Sequence, residues 1–203
     1  MNRVAAVVLA AGGSARMGSP KQLLRVDGES LVRRAAKTAL ASRCAAVFMV
    51  VGARADAVTH EIEGLRLTRL YNTGWREGIS SSIRIAVDAV AAADPPFDAV
   101  LITLADQPAV TPALLDGLIA KGESAPAGLV ACEYAETIGV PALFARQHFD
   151  ALRALTGDRG GKGLLAAHAD AVVRVPFPEA TIDLDTRGDY RRFTRRLATR
   201  DRI

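Results

Sequence analysis

The chain is short of the residues that mark several protein classes. It has two cysteines in 203 residues, far too few for a disulfide framework. Cys44 and Cys132 flank apolar runs and read as small core hydrophobes in a reducing compartment. His60, His148 and His168 share no ligand spacing, so they are expected at the surface with no catalytic role. No apolar run approaches the ~20 residues that span a bilayer, and no leader pattern precedes the first strand. A cytoplasmic protein without a membrane partner is expected. The sequence carries no repeat, linker or low-complexity tract, and its length predicts one domain over 1–203. Both common phosphate motifs are missing: there is no glycine-spaced loop ending in Gly-Lys-Ser/Thr, and no G-x-G-x-x-G.

Half of the residues are hydrophobic and 24% are charged, a balance that predicts a globular core. The net charge of +4 is local in origin. Residues 187–203 hold seven arginines against Asp189 and Asp201, a net +5 that leaves the rest of the chain at −1. With little aromatic interleaving and no nucleic-acid fold signature, this segment reads as a solvated amphipathic helix. No nucleic-acid partner is expected.

Apolar runs alternate with helical patterns, which predicts an α/β fold: a Rossmann-like, mostly parallel twisted sheet flanked by helices. Strands are expected at Val4–Leu9, Ala45–Val51, Leu65–Tyr71, Ala99–Leu104, Leu129–Tyr134, Val140–Phe144 and Val172–Val175. Helices are expected from a Ser30 cap to about Ala41, and over Ala55–Ile62, Ser81–Ala92, Pro112–Ile119, Arg146–Leu155 and Gly161–Ala167. In open α/β sheets ligands sit beyond the carboxyl ends of the strands. Two candidate segments follow strands in this way.

The first is Leu9-Ala10-Ala11-Gly12-Gly13-Ser14-Ala15-Arg16-Met17-Gly18-Ser19-Pro20-Lys21-Gln22-Leu23. Gly12, Gly13 and Gly18 let backbone N–H groups approach a ligand closely, and successive N–H groups form an anion-binding concavity. Arg16 and Lys21 add fixed cations, a set that suits a polyphosphate. The second is Leu104-Ala105-Asp106-Gln107-Pro108. A carboxylate at a strand end near a phosphate loop suits Mg²⁺, which takes one or two carboxylates plus phosphates and water. Asp-x-Pro is also ordinary turn chemistry. In Asn72–Ser82, Gly78 and the serines suit a base edge or ribose, and one serine is expected to cap the helix. Trp75 suits either stacking on a ligand or closing the loop.

The first segment resembles the signature L-A-[AG]-G-x-S-x-R-M-G-x-x-K-x-L of the small sugar-nucleotidyltransferase-like enzymes. Its Leu-Ala-Ala-Gly form, followed by Lys-Gln-Leu-Leu, resembles the molybdenum cofactor cytidylyltransferases. Guanylyltransferase relatives more often carry Leu-Ala-Gly-Gly. Leu-Ala-Asp-Gln-Pro is similar to that family's metal-binding aspartate motif, and Asn72–Ser82 to its Asn-x-x-Trp-x-x-Gly-[MI]-Ser-Ser-Ser segment. The resemblance implies a nucleotide-diphospho-sugar-transferase-like fold and a Mg²⁺-dependent transfer of CMP from CTP to the molybdopterin cofactor. It implies catalytic roles for Arg16, Lys21 and Asp106. It places Leu9, Ala10, Ala11, Gly12, Gly13, Ser14, Gly18, Gly78 and Ser82 at the nucleotide, and Asp106 and Asp185 at the metal, with Asp183 as the alternative. Arg187-Gly188 departs from the family's Pro-Glu, which bears on the following helix start. Gly139–Ala142 and Gly157–Lys162 resemble segments on the acceptor side, where Lys162 stands for an arginine and loses its bidentate fork. A guanylyltransferase, another phosphorylated acceptor, or a cofactor chaperone serving a molybdenum hydroxylase apoenzyme are the competing readings.

Overall fold

A computed structural model describes residues 3–13, 20–135 and 137–181. Its centre is the strand β1 (Val4–Ala10), in which every side chain is buried. A continuous apolar run of this kind is what a parallel strand covered on both faces requires. The chain continues through β2 (Arg25–Val26), β3 (Glu29–Ser30), α1 (Leu31–Leu40), β4 (Ala46–Val51), α2 (Ala55–Glu61) and β5 (Thr68–Tyr71). Then come α3 (Ile79–Ala91), β6 (Ala99–Leu104), α4 (Pro112–Ser124), β7 (Leu129–Tyr134), β8 (Thr137–Ala145), α5 (Phe149–Arg153), α6 (Lys162–Ala167) and β9 (Val173–Pro176).

Seven strands form one sheet in the order β5-β4-β1-β6-β8-β7-β9. β5, β4, β1 and β6 are mutually parallel, whereas β8 runs antiparallel to both β6 and β7. Side chains alternate across the sheet, as strand geometry demands. Ala5, Val7 and Leu9 pack with Ile83, Ala86, Val87 and Val90 of α3. Ala6, Val8 and Ala10 pack on the other face with Val32, Ala36 and Ala39 of α1 and Val58 of α2. Leu115, Leu118 and Ile119 of α4 cover the β6–β8 region around Leu101 and Leu143.

The local signals explain most boundaries. The Ser30 hydroxyl caps α1 by accepting from Arg33 N at 3.4 Å, and Thr111 Oγ1 caps α4 by accepting from Leu114 N at 3.2 Å. α4 runs on past Ile119 to Ser124, because Gly122 continues the buried stripe of Leu115, Leu118 and Ile119. β8 starts at Thr137, so Thr137–Gly139 belong to the hairpin ladder rather than to its turn. Periodicity alone did not reveal the β2–β3 hairpin. Its signal is Asp27-Gly28, with φ of 52° and 78°, the pair that favours a tight two-residue turn. His60 and His168 are exposed as expected, but His148 is buried. Its Nε2 donates to the Ala127 carbonyl at 2.7 Å, which satisfies the ring away from water.

Among the described residues no helix is long and apolar enough to cross a membrane. Both cysteines are free thiols. Burial pushes the Cys132 thiol up to about 12, and burial together with the Asp116 carboxylate raises that of Cys44. A thiol held neutral is a poor nucleophile. At pH 8 a thiol reagent should therefore leave Cys132 unmodified in the native protein and label it once denatured, as mass spectrometry of the labelled peptides would show.

Candidate active site

The ladder of β1 continues past its last residue and draws three loops together. Ala11 carbonyl accepts from Ala53 N beyond β4 at 3.0 Å, and Leu9 carbonyl accepts from Ala105 N beyond β6 at 3.1 Å. Asn72, just past β5, donates its N–H to Val51 carbonyl at 2.8 Å. The carboxyl ends of four parallel strands thus converge, and a cleft of about 730 Å³ opens there.

Leu9–Gly13 form part of the cleft lining, together with Lys21 and Gln22, Asp106 beyond β6, Trp75, Arg76, Gly78 and Ser82 from the β5–α3 segment, and Asp158. Lys21 Nζ lies 3.7 Å from Asp106 Oδ2, with the two side chains 13% and 27% exposed. The pair is shielded enough to matter electrostatically and open enough to meet a ligand.

Three glycines make this convergence possible. A Cβ on Gly13 would lie 2.8 Å from Trp75 Cζ3, so the indole rests directly against the loop. A Cβ on Gly52 would meet Ala11 Cβ at 2.8 Å and Ala11 O at 3.0 Å. Gly78 has φ of +106°, and a Cβ there would meet Asp158 Oδ1 at 2.5 Å and Gly157 backbone atoms at 2.6 Å. Trp75 therefore closes the loop, and the Arg76 guanidinium covers its ring at 4.4 Å from the centroid.

The serine segment differs from expectation in one respect. Gly78, not a serine, occupies the cap of α3, and Ser80–Ser82 lie buried inside its first turn. The Gly157 carbonyl receives Ser80 N at 3.1 Å, so the helix start is capped by a distant loop. Asn72 Nδ2 donates to Ser81 Oγ at 2.8 Å and Ser82 Oγ at 2.9 Å, tying the serines to the end of β5.

Gln107 Nε2 donates to Val140 carbonyl at 3.2 Å, which links the Asp106 loop to β8. A Cβ on Gly139 would lie 2.5 Å from Tyr134 Oη and 3.3 Å from Lys162 Cε. The structure thus brings Leu9, Ala10, Ala11, Gly12, Gly13, Lys21, Gly78, Ser82 and Asp106 into one cleft. Ser14, Arg16, Gly18, Asp183 and Asp185, like the basic segment 187–203, lie outside the described residues. Among the described residues no three His, Cys, Asp or Glu side chains gather as a metal site. Gln22, Arg76 and Asp158 also line the cleft; the sequence marks the segments that contain them but gives them no individual roles. Their neighbours carry the recognisable pattern, and their own roles depend on contacts that spacing does not encode.

The model of the MobA-like NTP transferase domain matches residues 6–172. The chain belongs to the MobA-like NTP transferase family. It is 30% identical over 198 residues to purine catabolism protein PucB of Bacillus subtilis strain 168, covering 91% of this chain and 92% of that protein. The solved Rv0371c homologue from Mycobacterium sp. strain JC1 superposes with a TM-score of 0.83 at 31% identity, covering 98% of each chain. Rv0371c from Mycobacterium tuberculosis H37Rv, solved in complex with manganese, superposes with a TM-score of 0.78 at 27% identity, covering 95% of this chain and 98% of that one. The fold and the family together make the protein a nucleotidyltransferase.

Gly78→Ala should force both a strained φ and a collision with the 157–158 loop. An equilibrium urea titration should show a loss of roughly 1–3 kcal/mol, with α3 detached from its Gly157 cap.

Proposed function

We propose that the protein transfers CMP from CTP to the terminal phosphate of the molybdopterin form of the molybdenum cofactor, with release of pyrophosphate. The observation that carries the reading is the Lys21–Asp106 pair, 3.7 Å apart, in a cleft floored by the glycine loop. A cation for phosphate oxygens and a carboxylate for a metal stand side by side. The Leu-Ala-Ala-Gly form of the loop and the Lys-Gln-Leu-Leu after it support the choice of CTP and pterin.

The donor set fits a divalent cation. Asp106 offers hard carboxylate oxygen at a partly open position, and a triphosphate and water would complete the shell. The manganese complex of Rv0371c supports such a site. Asp185, or Asp183 in its place, is the proposed second carboxylate. A cation bound there supplies charge neutralisation at the α-phosphate and its neighbouring oxygens.

The attacking group is an anionic phosphate oxygen, so no side-chain nucleophile or general base is needed. Its oxygen bonds to the α-phosphorus as the α–β P–O bond breaks, and pyrophosphate carries away the electron pair. The protein contributes position and charge. The N–H groups of Gly12 and Gly13, with Arg16, hold the departing pyrophosphate. Lys21 neutralises charge growing on the α-phosphate. Gly78 and Ser82 lie on the side assigned to the base and ribose.

The test is pyrophosphate release with molybdopterin cofactor, Mg²⁺ and each of CTP, GTP and ATP. Release that needs both pterin and CTP is the expected result. Release with GTP would overturn the base assignment, and none with any triphosphate would point to another phosphorylated acceptor and then to a cofactor chaperone. Lys21→Ala and Asp106→Ala should each lower kcat by on the order of 10²–10³. Each should keep its native circular dichroism. Either variant retaining more than about a third of the normal rate would remove that residue from this account.

A further inference from the structure

Gln22 is 5% exposed on the short 3-10 turn Lys21–Leu23. Its Nε2 donates to the Ala10 carbonyl at 3.0 Å and also to the Gly12 carbonyl. Both partners are acceptors, so the carboxamide can face them only with its NH₂ end. The side chain therefore spends both of its donors on the backbone that leads into the glycine loop. A leucine or methionine would fill the same space and leave two shielded carbonyls without these bonds, a costly exchange.

The consequence reaches beyond packing. In a trans peptide the C=O and the following N–H lie in one plane and point in opposite directions. Fixing the Gly12 carbonyl toward Gln22 fixes the Gly13 N–H in the opposite sense. Among the described residues nothing lies within 4 Å of where a Cβ on Gly12 would stand, so packing at that position does not hold the loop. A diglycine step with that freedom samples many conformations unless something restrains it. Trp75 packs against Gly13, and the restraint on the Gly12 carbonyl comes from the residue beside Lys21, whose ammonium meets Asp106. One short turn thus sets both the loop and its cation.

We propose that Gln22 is a positioning residue: its carboxamide clamps the Ala10 and Gly12 carbonyls and so presets the glycine loop to receive the nucleotide's phosphates. Its catalytic consequence rests on the nucleotide reading of this cleft, whereas the clamp on the loop does not.

Two variants and two readouts separate these parts. Gln22→Met keeps the length and removes the donors, and Gln22→Glu sets carboxylate oxygens against the two carbonyls. In hydrogen exchange of the ligand-free protein, peptides spanning Leu9–Gly13 should exchange at least about tenfold faster in both variants, with the β4 and β6 peptides unchanged. The KM for CTP should rise about tenfold while kcat at saturating CTP falls by less than about threefold, because nucleotide binding reorders the loop. Loop exchange and KM both within about twofold of the unsubstituted protein would overturn the proposal. So would a kcat loss at unchanged KM. If the unsubstituted protein turns over no nucleotide, the functional reading fails and the exchange result alone decides the clamp. Should Gln22→Glu not fold, Gln22→Met carries the same test.

Discussion

The site depends on the complete enclosure of β1. Its side chains are buried on both faces, and both of its edges are hydrogen-bonded, to β4 and to β6. Such a strand offers a ligand nothing along its length. Only its carboxyl end is available, and the parallel ladder brings the ends of β4, β5 and β6 to the same edge of the sheet. Chemistry collects there because every other surface of the central strand is already used.

What the loops do at that edge follows from the absence of side chains as much as from their presence. Gly13 admits the Trp75 indole, Gly52 admits Ala11, and Gly78 admits the Gly157–Asp158 loop. Each close approach joins two segments distant in sequence. The charges then sit on a wall made rigid by these contacts. Lys21 and Asp106 neutralise each other across 3.7 Å. In the proposed reaction each gains a new counter-charge, phosphate for the lysine and a divalent cation for the aspartate.

Much of this was legible in the sequence. The alternation of apolar runs and helical stripes predicted the parallel sheet, and Ser30 and Thr111-Pro112 marked two helix starts where they occur. The pattern of apolar runs alone puts the glycine loop and Leu-Ala-Asp-Gln-Pro at strand ends. Other features were hidden for physical reasons. The serines of Ser80–Ser82 look like caps, yet the cap is Gly78, because a carbonyl from the distant Gly157 supplies what a serine would. His148 looked like a surface residue, and a single bond to the Ala127 carbonyl lets it be buried. Gln22 belongs to the Lys-Gln-Leu-Leu run, but its two bonds depend on the backbone path beyond β1. Contacts of this kind are made by folding and leave no spacing to read.

The most direct test of the account is occupancy of the cleft itself. Trp75 is the sole tryptophan, and its ring lies against Gly13 in the cleft wall. Its fluorescence should change saturably when CTP is added with Mg²⁺, and the titration should weaken strongly when the metal is withheld. A flat titration to millimolar concentrations with every nucleoside triphosphate, metal present, would contradict the claim that this cleft is a nucleotide site.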